Sequence, residues 1–387
     1  MPSNSRYPVD PITLRISGVD WTYWKTVEIS RQIDAIAGAF SITLADPWVD
    51  GAEALPIAAG MECELLIGGD PVLKGYIDKS APSFSDKEHG ITIAGRDKSA
   101  DLVDCAAVHS PGHWINQTAL QLAAILAQPF GVAVRAEADV GAPIPSFKLD
   151  QGESAFEALD RALKLRELLA CPDGAGNMIL LKIGTRQNVT ALIQGKNIKA
   201  ADADCDLTDC FSQYLVQGQK PGNDDEFGQA AAAISATAKD PAVIRYRPMI
   251  VRAENSVDAA AAKQRADWEK TVRAARSVSV SVTVQGFRQG DGSLWQLGAL
   301  TDVDIPYLRL KGRLLSSKIT LRRDISEGSV TVIELRDPAA FKPEPKTQET
   351  AAKGGAQKDL RIEAEKDLQT RFRENAERRH QQIKEGK

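Results

Sequence analysis

The feature that most constrains this chain is that part of it occurs twice. Gly60-Met61-Glu62, then Lys74-Gly75-Tyr76, then Gly90-Ile91-Thr92-Ile93 closing in Arg96-Asp97, is echoed further on. The echo is Gly298-Ala299-Leu300, then Lys311-Gly312-Arg313, then Ser329-Val330-Thr331-Val332 closing in Arg336-Asp337. From the first Gly to the closing Arg the interval is 36 residues in one copy and 38 in the other. Both copies alternate apolar with polar residues, the period of a strand with one buried face. Identities are few, but equal order and nearly equal spacing predict two related β domains within one chain.

The same alternation runs through the first hundred residues. Ile12, Leu14 and Ile16 alternate, as do Val27 with Ile29 and Phe40 with Ile42 and Leu44, and Gly68-Gly69-Asp70-Pro71 is a turn. Six short strands without a long helix predict a small barrel or a sandwich. From about residue 105 the period changes. Asn116 is predicted to cap a helix carrying Leu120, Ala123, Ala124 and Ala127, and Ser154 with Glu157 forms a capping box for a second, with Phe156, Leu159 and Leu163 on one face. Strands over 178–183 and 189–193 then complete a separate mixed α/β module. A strand is expected over 211–217. Asn255 or Ser256 is expected to cap the longest helix, with Val257, Ala261, Trp268, Val272 and Ala275 at helical spacing. Strands return over 278–284, 301–305, 313–321 and 329–335. The fold class expected is α+β and β-rich.

The last segment differs. Of the 47 residues from 341 to 387, 21 are charged with both signs interleaved, and Leu360, Ala364, Leu368 and Phe372 recur every four residues. So narrow a stripe forms a helix only against a partner, so a charged tail, flexible or helical, is predicted.

Composition excludes several classes. Lys and Arg total 48 against 52 Asp and Glu, a net charge of -4, so no basic excess exists to neutralise a phosphate backbone. Stable nucleic-acid binding is not expected. No window approaches the ~20 apolar residues of a membrane span, and the first twenty residues lack a signal peptide's order, so a soluble protein made in a cytoplasm is expected, without membrane insertion. Five scattered cysteines fit reduced thiols. Cys105, His109 and His113 are spaced as metal ligands, but Pro111 and Gly112 break the helix that would align them and a fourth ligand is missing. No metal, cofactor or catalytic residue is therefore assigned. Asp224 and Asp225 lie in a polar stretch without other chemistry, and none of the sequence signatures of hydrolases, zinc proteases or nucleotide binders is present. The aromatic cluster around Trp21 and Trp24 is expected to close a barrel end rather than to form a binding face. On these grounds a structural or assembly protein is favoured over an enzyme with a scattered site.

One run adds a resemblance. Gly95-Arg96-Asp97-Lys98-Ser99-Ala100-Asp101-Leu102-Val103-Asp104-Cys105-Ala106-Ala107-Val108 resembles the baseplate hub proteins of Mu-like contractile-tailed phages, within the late-control-D and VgrG-like hub family. Gly75-Tyr76-Ile77-Asp78, Phe211-Ser212-Gln213-Tyr214 and Arg245-Tyr246-Arg247-Pro248-Met249-Ile250 continue the likeness in order, over about residues 10 to 340. The resemblance implies two similar barrels per chain, the first over 1–104 and the second over 206–222 with 278–340. The mixed module is then 105–205, an insertion with the long helix 223–277, and the tail 341–387. It also implies a homotrimer whose six barrels join a sixfold tail tube to a threefold central spike, with a channel through which DNA passes and no turnover. Expected partners are further copies of the chain, the tail tube, the central spike, baseplate wedge proteins and the tape measure protein, all within the virion tail. The alternatives are a hub that also degrades peptidoglycan and a hub of a related contractile injection system. Structural or interface roles are expected for Trp21, Trp24, Arg96, Asp97, Arg245, Tyr246, Arg247, Arg336, Asp337, Leu360, Leu368 and Phe372.

Overall fold

The structure is a computed structural model and describes residues 10–22, 24–33, 35–45, 57–85, 89–218, 234–253 and 258–345. The chain divides into two compact units, the first from Met1–Cys210 and Thr271–Pro343 and the second from Phe211–Lys270 and Glu344–Lys387, each taken over its described residues.

In the first unit the chain opens with β1 (Ile12–Ile16), β2 (Val19–Trp21), β3 (Trp24–Gln32), β4 (Ala39–Ala45), β5 (Glu62–Ile67), β6 (Asp70–Phe84) and β7 (His89–Asp97). The alternation read from the sequence is the physical cause. Ile12, Leu14 and Ile16 point into the core while Thr13 and Arg15 point away, and Val27 with Ile29 do the same in β3. Later come β13 (Arg186–Gln187), β14 (Leu192–Ile193), β15 (Ile198–Cys205), β19 (Val278–Gln285), β20 (Ala299–Ile305), β21 (Leu310–Asp324) and β22 (Gly328–Arg336). All belong to one 14-stranded sheet, whose main path runs β15-β19-β22-β21-β3-β4-β7-β6-β5-β1-β2, with β20 joining β21 to β13 and β14.

That sheet has two halves with the same strand order: β3-β4-β7-β6-β5-β1 in one, β15-β19-β22-β21-β20 and then β13 and β14 in the other. The echo holds at its ends. Gly60 N donates to Ile77 O at 2.7 Å and Gly298 N to Ser316 O at 2.9 Å, while Arg96 faces Tyr76 and Ala39 as Arg336 faces Leu315 and Ser279. The middle is shifted by two residues, because Gly75 pairs with Cys63 whereas the residue in that place in the second half is Leu314, paired with Thr301. Even the irregularities repeat. The β6–β7 ladder skips Asp78 and the β21–β22 ladder skips Ser317, and β3 bulges at Lys25 against β4 as β15 bulges at Lys199 against β19. One difference is polarity, since β1 runs antiparallel to β5 and the short β13 and β14 run parallel to β20.

Between the halves lies the mixed module: α1 (Ala100–Asp104), β8 (His113–Gln117), α2 (Ala119–Ala127), β9 (Val134–Ala136), β10 (Ile144–Lys148), α3 (Ala155–Lys164), β11 (Leu169–Pro172) and β12 (Met178–Leu181). Its core sets Leu122 and Leu126 of α2 against Leu159 and Leu163 of α3. The capping box at Ser154 is present, with Ser154 N donating to Glu157 and Glu157 N to Ser154 Oγ. The cap of α2, however, is Thr118 and not Asn116, because Asn116 sits within β8 at a φ of 54° and Thr118 forms its own capping box with Gln121.

The second unit holds a three-stranded sheet of β16 (Gln213–Gly218), β17 (Ile234–Lys239) and β18 (Pro248–Arg252), with the start of α4 (Ala259–Arg276) packed on it through Ala262 and Ala266. The expected cap residues Asn255 and Ser256 lie outside the described residues; Asp258 accepts from Ala261 N at 2.7 Å and takes that role. Of the segment 206–222, expected in the second barrel, the described strand β16 is not in the large sheet: it pairs with β17 and β18. Its place beside β19 is taken by β15, from the segment expected to close the mixed module. The reason is chemical. Ile198-Lys199-Ala200-Ala201-Asp202-Ala203-Asp204-Cys205 has no large apolar residue after Ile198, so its alternation is faint, whereas Tyr214 and Val216 alternate clearly but serve a smaller core.

Candidate functional site

Arg96 and Asp97 end β7, where the strand turns into α1. Arg96 donates through Nε to Asp78 at 2.9 Å and through both terminal nitrogens to Asp104 at 3.2 and 2.8 Å. The hydrogen bond from Arg96 holds the Asp104 carboxyl below its usual range. Asp97 is buried and receives only donors: Gly38 N at 2.5 Å, Ser99 N at 2.9 Å, and Ser99 Oγ. Burial still dominates and pushes its pKa up to about 6. Gly60, Tyr76, Ile77, Ala100 and Asp101 join these residues around an open cleft of about 360 Å³. The arginine at its wall is already bound by two carboxylates, which tie the strand end to α1 and leave no unpaired cation there to hold an anionic ligand.

Arg336 and Asp337 occupy the matching end of β22. Asp337 accepts from Ala339 N at 2.8 Å, the same two-residue reach as Asp97 to Ser99 N, and opens the turn 338–341. Trp21 and Trp24 pack against the main core, and Trp24 Nε1 donates to Ile12 O at 2.8 Å. In the second unit the Arg247 guanidinium lies 5.2 Å from the centre of the Phe211 ring, and the Arg247 backbone N donates to Ser212 Oγ. Arg245 is exposed, and with Ile244 at 99% and Tyr246 at 84% exposure it forms a protruding apolar and basic loop. Leu360, Leu368 and Phe372 lie outside the described residues.

Two clusters carried no sequence signal. Arg288 donates to Asp10 at 2.9 Å, Asp70 at 2.8 Å and Ile67 O at 3.1 Å, stapling the second half of the sheet to the first. Buried Asn188 donates to Thr301 Oγ1 at 2.8 Å and Ser316 Oγ at 3.2 Å, and accepts from Gln296 N at 3.1 Å. Their partners lie far off in sequence, so no local pattern marks them. As for metals, His113 shares a hydrogen bond with Ser146 Oγ, His109 stands edge-on to Trp114, and Cys105 is an exposed thiol. Among the described residues no three His, Cys, Asp or Glu side chains converge as a metal site. Nor is any helix there long and apolar enough to cross a membrane.

Comparison with known proteins follows the same divisions. Residues 11–97 match the family described as Mu phage baseplate assembly protein GpP-like, N-terminal, and residues 99–182 match baseplate hub protein gp44-like, second domain. Residues 210–268 match tail protein NMB1110-like, third domain, and 258–344 match Mu phage baseplate assembly protein GpP, fourth domain. Along its length the chain is 35% identical over 352 residues to baseplate hub protein gp44 of Escherichia phage Mu, covering 89% of this chain and 92% of that protein. The chain belongs to the phage Mu baseplate hub family. Its fold is shared with the 43 kDa tail protein of prophage MuSo2 from Shewanella oneidensis, at a TM-score of 0.75 and 32% identity over 87% of this chain and all of that one. A tail protein from Neisseria meningitidis has the same fold, at a TM-score of 0.70 and 21% identity, covering 87% and 98% of the two chains. A β-rich phage-tail hub protein is therefore what the duplicated sheet builds.

Proposed function

We propose that this hub protein is a homotrimeric adaptor that joins a sixfold tail tube to a threefold central spike and encloses a channel for DNA. The observation that carries the reading is the duplication itself. Two halves with one strand order and matching bulges let three chains present six nearly equivalent modules, which is the symmetry a hexameric tube requires of a trimeric base. In this reading residues 1–104 are the first barrel, and β15 with 278–340 is the second. The mixed module extends from the ring towards the spike. The loop carrying Ile244, Arg245 and Tyr246 is a docking surface for a neighbouring tail protein, since large apolar groups so exposed are costly without a partner. The tape measure protein, the wedges and the virion tail complete its setting, and it acts by binding without turnover. A slightly acidic total charge suits a channel that must release DNA rather than hold it.

The test is the mass of the purified protein by multi-angle light scattering. Three times 41.8 kDa, about 125 kDa, is expected. A monomer or dimer that persists at high micromolar concentration, and in the presence of tube or spike protein, overturns the trimer.

A further inference from the structure

The sheet contains a seam between its two halves. Along it β21 residues Lys318–Asp324 lie antiparallel to β3 residues Gln32–Thr26, with Leu321 opposite Ile29 and Arg322 opposite Glu28. Each strand is thereby paired on both sides, β21 with β22 and β3, and β3 with β4 and β21. Their counterparts in the other half are not. Among the described residues, β6 beyond Asp78 pairs with β7 alone, because its ladder with β5 ends at Tyr76, and β15 pairs with β19 alone. Val27 and Ile29 are covered in the seam, whereas Asp202, Ala203, Asp204 and Cys205 of β15 and Pro82 and Ser83 of β6 are exposed.

Resting on the trimeric reading, we propose that these two open edges are the interface between chains: the 79–83 edge of β6 in one copy pairs antiparallel with β15 of the next, repeating the β21–β3 seam. The bulges fix the register. Matching Asp78 to Ser317 makes Lys79, Ser80, Ala81, Pro82 and Ser83 the counterparts of Lys318, Ile319, Thr320, Leu321 and Arg322. Matching Lys25 to Lys199 makes Asp206, Cys205, Asp204, Ala203 and Asp202 the counterparts of Gln32, Arg31, Ser30, Ile29 and Glu28. The intrachain pairing then carries over residue by residue, with Lys79 opposite Asp206, Ser80 opposite Cys205, Ala81 opposite Asp204, Pro82 opposite Ala203 and Ser83 opposite Asp202.

The chemistry of the edges fits. The acidic edge brings Asp202 and Asp204 of β15 and Asp206 just beyond it, whose carboxylate also accepts from Thr208, and the β6 edge answers with a lysine and short side chains and no carboxylate. Pro82 sets the direction of the hydrogen bonds. Ile33 N donates to Ser317 O at 2.9 Å, so Ile319 and Leu321 turn their backbone groups towards β3, and Ser80 and Pro82 turn theirs to the open edge. Pro82 accepts there but cannot donate, which leaves the seam one bond short and also discourages pairing with other strands. A ring closed in this way has six seams, alternately within and between chains.

The experiment is a disulfide scan on the full chain. Ser80→Cys places a thiol opposite the native Cys205 in an antiparallel pair whose Cα atoms stand about 5.5 Å apart, within disulfide reach. Mild oxidation is expected to give a covalent trimer of about three times 41.8 kDa on a non-reducing gel, and none for Ser80→Cys with Cys205→Ala. Ser83→Cys with Asp202→Cys, in the Cys205→Ala background, tests the same register at exposed positions and is expected to cross-link too. Ser83→Cys alone faces Cys205 three residues out of register and is expected to stay uncrosslinked. If light scattering shows a trimer but neither matched pair cross-links, the seam is overturned and the trimer stands. Equal cross-linking by the out-of-register pair also overturns the seam, and a monomeric protein overturns both.

Discussion

Adding one methyl group at Gly75 separates the demands of the first half of the sheet from those of the second. A Cβ built there would stand 1.9 Å from Arg96 O and 2.5 Å from Asp97 Cα, both backbone atoms of the neighbouring strand, so no rotamer change relieves it. β7 must move away by more than 1 Å, a distance set by ordinary carbon–oxygen contact of about 3.2 Å. That displacement breaks the end of the ladder, where Gly75 faces Asp97 and Tyr76 faces Arg96, and it pulls Arg96 from Asp78 and Asp104. Two backbone hydrogen bonds at about 1 kcal/mol each and a partly exposed ion pair at under about 1 kcal/mol give a loss of about 3 kcal/mol, before any strain that remains. Gly75→Ala should therefore lower the urea stability of the first unit by about 3 kcal/mol, at the upper end of the usual cost of an overpacked core. Gly69→Ala is the control, since its Cβ would meet nothing within 4 Å and only its φ of 93° resists, at about 1 kcal/mol. Equal stability for Gly75→Ala and the parent would refute the close approach of β6 to β7.

Three further outcomes follow from named groups. Asn188→Ala strips buried Thr301, Ser316 and Gln296 N of a shared partner, and a loss of about 2–4 kcal/mol is expected in thermal unfolding; under 1 kcal/mol would show the triad to be dispensable. Burial raises Asp97 from 3.8 to about 6, so the folded state favours its protonated form. Its contribution is present below pH 4 and lost as pH rises through 6, by about 3 kcal/mol, and chemical denaturation across pH 3.5 to 7 of Asp97→Asn against the parent should show that slope removed. Ile244→Ser with Tyr246→Ser should leave stability within about 0.5 kcal/mol, because both side chains are already in solvent, while weakening capture of a tail partner.

How far the sequence reached depended on whether a signal was local. The paired Gly60 and Gly298 and the paired Arg96 and Arg336 were legible because a turn and a strand end leave marks at fixed spacing. The shift of two residues in the middle was not, since it arises from a longer turn after β20 and a bulge in β5–β6 that no composition marks. β15 stayed hidden because an edge strand needs no large apolar residues, and β16 misled because Tyr214 and Val216 alternate for a different core. Arg288 and Asn188 illustrate the same limit from the side of the site. Their partners, Asp10 and Thr301, lie 278 and 113 residues away, and they become neighbours only once the two halves meet, for Arg288, or once β20 has joined β13 and β14, for Asn188.

The equivalence of the two halves is tested most directly by end-on views of the purified assembly in the electron microscope. Rotational averaging should give a closed ring with six lobes at low resolution, resolving into a threefold pattern as the differences between β13–β14 and β1 come into view. A ring with three lobes only, or with twofold symmetry, would contradict the claim that both halves serve as equivalent modules.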